Sequence, residues 1–594
     1  MKKDGVRLTR APLLYPRKGG AMKKRILAAL LAAACLTGCG AQEPQQLPRE
    51  SGEEAVTVAY VPLDDRPVNT DRVAYLARSL GYDLQMPEES LYRTCLDGQS
   101  KNPNGTAYGD RAGLYEWVLE QEAAGCDRYI LSLDQLLSGG LVNARSFAGG
   151  DVTLSDGTVL TETALIDGLL EALGGEENQI YLLDTVMRLA PTVGYDGWDL
   201  EGYEALRAYG MEERAPLSGD ALTVVNIVAG YETGGDGQAL VPEDFGLTQA
   251  QVEQYLLCRE RKLTLIDHAL AASEGMENVH FLIGVDDSAP SASIQTNELA
   301  YLRRAVEGRG AVLSGADEDG MLAVCRMYAL QGDETPRVRV RYFGGSESSA
   351  SSDYDHQSMT EIVAQHLAYL GAEQTEEDAD LELLVLTAPA EEGESEGYID
   401  ALIQALRDNQ SSGVPTILMD AAKNGYGTAF QTQLVKKTDL GGLLGYAGYY
   451  DLANVTGIAL ANGLARWLCL NRGGPQTQSQ QDDFIRTLAD SLIKDICYKN
   501  ATKPRVALYV KEDLEGDPDN FCASGVDLDT VLSQAEQWLE EDSRDVLKNL
   551  SRSAMLVDLE GNTAGLGTLT LSDLAFPWQR TFEIRLTLTI DSGT

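Results

Sequence analysis

Histidine is nearly missing from this 594-residue chain. There are four, at His268, His280, His356 and His366, and none stands in a His-x-His or His-Glu-x-x-His spacing. Zinc hydrolysis of the usual kind and Ser-His chemistry are therefore disfavoured. The nine cysteines contain no Cys-x-x-Cys pair and no Cys/His cluster. There is no Gly-x-Ser-x-Gly elbow and no Gly-x-x-x-x-Gly-Lys-[Ser/Thr] phosphate loop. Positive charge is also scarce: 48 Lys and Arg face 91 Asp and Glu, a net of −43. Such a surface repels phosphate backbones, which excludes nucleic acid as a partner. No cofactor and no metal is expected, although a carboxylate-only Mg²⁺ or Ca²⁺ site stays open as an alternative, because hard cations take oxygen ligands.

An apolar run is present near the start. Lys23-Lys24-Arg25 forms a basic n-region, Ile26 to Cys35 a short h-region, and Leu36-Thr37-Gly38-Cys39 closes it. The run is too short to remain as a membrane-spanning helix. It has the form of a bacterial lipoprotein signal, with Cys39 the residue that carries lipid. Met22 opens this signal better than Met1, so residues 1–21 are read as an over-called start. Residues 1–38 are then non-native start plus signal peptide, and 39–55 a polar, lipidated tether. The expected address is extracytoplasmic, anchored to the bacterial cell membrane through Cys39. Seven cysteines remain, an odd number, so a complete disulfide framework is not expected.

From residue 56 the pattern alternates. Strand candidates are Val56–Leu63, Tyr129–Leu133, Ile180–Leu183, Leu222–Ile227, His280–Val285, Ala311–Ser314, Val338–Phe343, Leu381–Leu386 and Thr416–Met419. Amphipathic stretches such as Asp71–Leu80, Ala112–Ala124, Gln251–Ala272 and Tyr398–Asn409 lie between many of them. Alternation of this kind predicts an α/β fold of repeated βα units with a parallel sheet or a (β/α) barrel-like core. The core spans 56–474, with a possible subdomain boundary near 330–380. Gly473-Gly474-Pro475 marks a change of character, and 475–594 reads as a small C-terminal α+β domain.

Several strand candidates end on a carboxylate: Asp64-Asp65, Asp134, Asp184, Asp286-Asp287 and Asp420. Parallel α/β folds gather functional residues at this end of the strands. One acidic cleft is the expectation, set against the plain role of Asp as a helix cap. Asp286 and Asp287 are the catalytic candidates, since adjacent acids at short range push each other's proton affinities apart. Asp64, Asp65, Arg66, Asn69, Asp134, Arg145, Asp184, Arg188, Glu298 and Asp420 are the candidates to hold substrate. Gly315-Ala316-Asp317-Glu318 is either a further cleft loop or a helix start, and the Tyr446–Tyr450 run with Asn454 can line the opposite wall.

The block Val61-Pro62-Leu63-Asp64-Asp65-Arg66-Pro67-Val68-Asn69 resembles the opening signature of the bacterial domain-of-unknown-function family numbered 4127. Further blocks agree in order: Asp134 with Gly139-Gly140-Leu141 and Arg145, Asp184 to Arg188, Asp286-Asp287, Gly315 to Glu318, and Pro577 to Glu583. Where that family usually has Gly-Trp-Asn-Thr, this chain has Gly448-Tyr449-Tyr450-Asp451. The resemblance implies no assigned activity. A strand followed by Asp-Asp is also locally similar to hexosaminidases of the O-GlcNAcase-like kind, which implies for Asp286 and Asp287 a role in assisting a substrate acetamido group. The leading expectation is a surface-anchored glycosidase acting on carbohydrate or cell-wall glycan. The alternatives are a non-catalytic glycan-binding lipoprotein and a carboxylate-held metal-dependent hydrolase.

Overall fold

A computed structural model describes residues 55–96, 98–348, 354–390, 395–422, 425–448 and 451–591. The signal, Cys39 and the tether lie outside the described residues, as do Tyr449 and Tyr450. The chain begins with β1 (Val56–Val61), β2 (Tyr82–Gln85) and β3 (Arg128–Ser132). A short hairpin follows, β4 (Val152–Thr153) with β5 (Val159–Leu160), then β6 (Gln179–Val186), β7 (Val279–Val285) and β8 (Gly310–Ser314). All strands of the first sheet run parallel in the order β2-β1-β3-β6-β7-β8. A second parallel sheet contains β9 (Arg337–Phe343), β10 (Glu373–Gln374), β11 (Leu381–Leu386), β12 (Thr416–Asp420) and β13 (Leu443–Gly448), in the order β10-β9-β11-β12-β13. Both sheets are open. The α/β expectation holds, and the choice between parallel sheet and barrel resolves to sheets.

The strand residues explain this arrangement. Val58 and Tyr60 belong to one apolar cluster, Ala59 and Val61 to the other. The two-residue period thus feeds both faces of one sheet, which requires helices on both sides. The first cluster continues into the second sheet and the C-terminal helices, so residues 55–591 share one compact unit.

The strand expected over Leu222–Ile227 is instead the helix Val224–Ala229. The Thr223 hydroxyl caps it by accepting the Asn226 N–H at 3.3 Å. β6 already pairs directly with β7, so the β-branched run finds no ladder to join, and Val225 is left 77 % exposed. β13 did not stand out in the sequence because it is rich in glycine. A Cβ at Gly445 would lie 2.8 Å from the Gly463 nitrogen and 2.9 Å from the Ala459 oxygen of the helix Leu452–Asn471, so this strand lies directly against that helix.

The C-terminal part carries more helix than its mixed sequence suggests. Gln478–Ser491 runs on through a π-helical stretch, Leu492–Thr502, into Lys503–Glu512, and Leu528–Leu550 adds six and more turns. Two antiparallel hairpins follow, β14 (Ala554–Leu556) with β15 (Thr563–Gly565), and β16 (Thr568–Ala575) with β17 (Arg585–Asp591). Among the described residues no helix is long and apolar enough to cross a membrane.

Candidate active site

In the first sheet β1 sits between β2 and β3, so the connections after β1 and β3 leave in opposite directions. A crevice opens at the carboxyl ends of the strands where this happens. A cleft of about 530 Å³ lies there. Its walls include Arg66 after β1, Arg145 after β3, Arg188 after β6, Asp286 and Asp287 after β7, and Asp317 after β8. Tyr203 and Tyr354 add aromatic surface, and Trp578, Arg580 and Phe582 arrive from the far end of the chain. Asp355, Asp451, Asn454 and Asp519 complete the other side.

Three arginines of the cleft are each matched to an acid. Arg145 grips Asp286 with both ends of its fork, Nε to Oδ2 at 2.8 Å and Nη2 to Oδ1 at 2.9 Å. Its remaining nitrogen donates to Thr192 Oγ1 at 2.8 Å. Arg145 follows the Gly139-Gly140 turn by one short helix, Leu141–Ala144. Both glycines have positive φ, 78° and 120°, and a side chain at Gly139 would strike the Gly109 backbone. Arg188 donates to Asp287 Oδ2 at 2.8 Å and spends its other nitrogens on the Ala190 and Pro191 carbonyls. Arg66 bridges Asp64 and Asp317, with Nη2 2.8 Å from Asp64 and Nη1 2.9 Å from Asp317.

The neighbouring acids of the β7 loop are not equivalent. Burial pushes the Asp286 carboxyl up, but Arg145 and then Arg188 pull it further down, so it stays below the usual carboxylate range. Burial also pushes Asp287 up. The charge of Asp286 adds to this, and Arg188 and Arg145 only partly offset it, so Asp287 ends above its ordinary value. Its side chain is 30 % exposed to the cleft, whereas Asp286 is covered.

Of the other acids singled out in the sequence, Asp64, Asp65, Asp134 and Asp184 lie at the same edge of the sheet without lining the cleft, and Glu298 and Asp420 lie elsewhere. Asp64 lies behind Arg66 and accepts from the Arg66 N–H at 3.0 Å and the Asn69 amide at 2.9 Å. Asp134 and Asp184 share Lys262, whose ammonium contacts both. Burial first, then Asp134, raises Asp184 to about 6 against the pull of Lys262. Lys262 comes from the helix Gln249–Ala272, a partner that strand-end reasoning did not find. Glu298 is a core group, held by Arg259 at 2.6 and 2.8 Å and by the Tyr231 hydroxyl at 2.6 Å. Asp420 ends β12 of the second sheet, so it belongs to a different strand edge. It accepts from the Gln431 amide and is raised to about 6 by burial and by Asp495. Asp65 meets the cleft wall at Trp578, whose indole N–H donates to Oδ1 at 2.8 Å.

Among the described residues no three His, Cys, Asp or Glu side chains are grouped to hold a metal ion. Glu318 and Asp319, which follow Asp317, are buried and pushed well up by desolvation first and neighbouring acids second. The Gly315–Glu318 segment therefore serves both readings offered by its sequence: Asp317 faces the cleft, and Asp319 starts the helix Asp319–Ala329.

The family model described as Protein of unknown function (DUF4127) matches residues 58–587. The chain belongs to the DUF4127 family. No curated protein and no solved structure gives a match. The DUF4127 match runs through every wall of the cleft, from Arg66 to Phe582. Its last segment, Pro577 to Glu583, carried the family resemblance in the sequence, but nothing in its composition placed it beside β1.

Proposed function

We propose that the cleft binds a carbohydrate and hydrolyses a glycosidic bond, with Asp287 as general acid and Asp286 as a fixed negative charge. The observation that carries this reading is the opposite displacement of the two carboxyls, one held ionised by a forked arginine and the other pushed toward its protonated form. Pairs of acids separated in this way divide acid and charge-stabilising roles between them. Asp287 gives its proton to the glycosidic oxygen as the bond to the anomeric carbon breaks. The leaving sugar departs as an alcohol. Water then adds its hydroxide to the anomeric carbon and returns a proton to Asp287. Arg188 donates to Asp287 Oδ2, so Oδ1 is the oxygen that carries the proton. Asp286, with both oxygens taken by Arg145, forms no bond to sugar and stabilises the cationic anomeric centre through space. Tyr203 and Tyr354 offer apolar faces for sugar rings. In the same reading the protein works outside the cytoplasmic membrane, on lipid at Cys39, with a glycan as its partner.

The test is product formation. A panel of soluble oligosaccharides and cell-wall fragments, incubated with the wild type and analysed by mass spectrometry, is expected to give shortened products. Asp286→Asn/Asp287→Asn is expected to lose at least about 10²-fold in rate, the usual worth of a positioned acid, and some stability as the buried Arg145 loses its partner charge, so rates are compared at a temperature where circular dichroism shows both proteins folded. Undiminished turnover by the double variant contradicts the mechanism. A second reading is a binding protein without turnover, favoured by one observation: both acids are engaged by arginines. It predicts saturable binding from the same panel with no product. The metal-dependent alternative gains nothing from the donor grouping.

A further inference from the structure

The C-terminal wall of the cleft is held in a conformation that its own sequence does not favour. Trp578 and Gln579 are consecutive non-glycine residues with φ of 56° and 49°. Left-handed backbone at such residues is strained and persists only where surroundings impose it. The surroundings here belong to the first loop of the chain. The Trp578 indole N–H donates to Asp65 Oδ1 at 2.8 Å, and its ring lies 4.8 Å from the Arg66 guanidinium. Trp578 also packs on Leu96, Val142 and Tyr195. From the same segment Arg585 donates to the Asp65 carbonyl at 2.9 Å.

Arg66 is the member of the cleft that this ring covers. It spans two acids on different strands' loops, Asp64 after β1 and Asp317 after β8. Three strands, β3, β6 and β7, separate β1 from β8 in the sheet, so no ladder hydrogen bond sets the distance between their loops. An ion pair shielded from water is stronger and more directional than an exposed one. The indole ring supplies that shield and a cation–π contact together.

We propose that Trp578 is a positioning residue of the cleft: by covering Arg66 it fixes the Arg66–Asp317 bridge and so sets the width of the site. The proposal rests on the cleft being the substrate site, but its test uses no substrate, so the two readings fail separately. Arginine labelling by phenylglyoxal, mapped by mass spectrometry, reads the cover directly. Trp578→Ala is expected to raise labelling of Arg66 by about tenfold, the equivalent of a desolvated cation–π contact, with Arg145 and Arg188 unchanged. Trp578→Phe keeps a ring over Arg66 and loses the indole N–H, and it is expected to label at the wild-type rate. This rescue by the conservative variant separates cover from mere presence of the segment. A variant that unfolds exposes Arg145 and Arg188 as well. In that case Trp578→Leu, which keeps apolar contact but no ring, carries the test with the same expectation. Wild-type labelling of Arg66 in the Ala or Leu variant overturns the proposal, as does a Phe variant no better protected than Ala.

Discussion

Asp65 shows how much a single buried carboxyl controls at the residue scale. Desolvation, and then the charge of Asp64, raise it to about 7 despite hydrogen bonds from Trp578 and Thr94. The facing groups on other elements are Tyr92 and Arg585, which feel the same carboxyl. The folded state therefore keeps a proton over a range where the unfolded chain has released it. Stability from this group is present at low pH and is lost as pH rises through about 7. In Asp65→Asn the amide oxygen still accepts both hydrogen bonds but cannot titrate. Between pH 7.5 and 5.5 the wild type is expected to gain about 2 kcal/mol relative to that variant in denaturant unfolding. Equal slopes for the two proteins contradict the burial argument. The same logic does not extend to Asp286, whose fork from Arg145 holds it on the ionised side.

At the scale of elements, the apolar strands were legible in the sequence because burial on both faces leaves a continuous Val, Ile, Leu and Tyr signature. β1, β7, β9 and β11 lie within a residue or two of their expected places. β13 was hidden by Gly445 and Gly448, and the Val224–Ala229 helix by a β-branched run that reads as strand. In both cases tertiary surroundings decide, through the approach of a neighbouring helix or the absence of a free sheet edge. The approach can be tested. Gly445→Ala sets a methyl against backbone atoms that cannot swing aside, and overpacking of this kind costs about 1–3 kcal/mol. A lowered urea midpoint is the expected outcome, and an unchanged one contradicts the close packing of β13 on the helix Leu452–Asn471.

Across the whole molecule, two open parallel sheets place their first strand between the second and third, so the second half repeats the strand order of the first. No sequence repeat announced this, because topology is set by connection lengths and burial rather than by residue identity. The strand-end acids of the sequence include two that line the cleft, Asp286 and Asp287. They did not predict its depth: Asp64, Asp134 and Asp184 form the layer beneath, Glu298 is in the core and Asp420 is on the other sheet. Arg66, Arg145 and Arg188 are among the candidates the sequence offers, whereas the wall supplied by Trp578, Arg580 and Phe582 comes from a segment whose sequence has no periodicity linking it to β1. Contacts spanning more than five hundred residues, such as Trp578 to Asp65, leave no trace in local pattern.

The central claim is that this cleft holds two adjacent acids in unequal states. A water-soluble carbodiimide with an amine nucleophile reacts with protonated, accessible carboxyl groups, and fragmentation mass spectrometry separates neighbouring sites. Over a descending pH series the account predicts that Asp287, raised above its ordinary value, is labelled at higher pH than Asp286, which is held below it. Labelling of both at one rate, or of Asp286 ahead of Asp287, contradicts it.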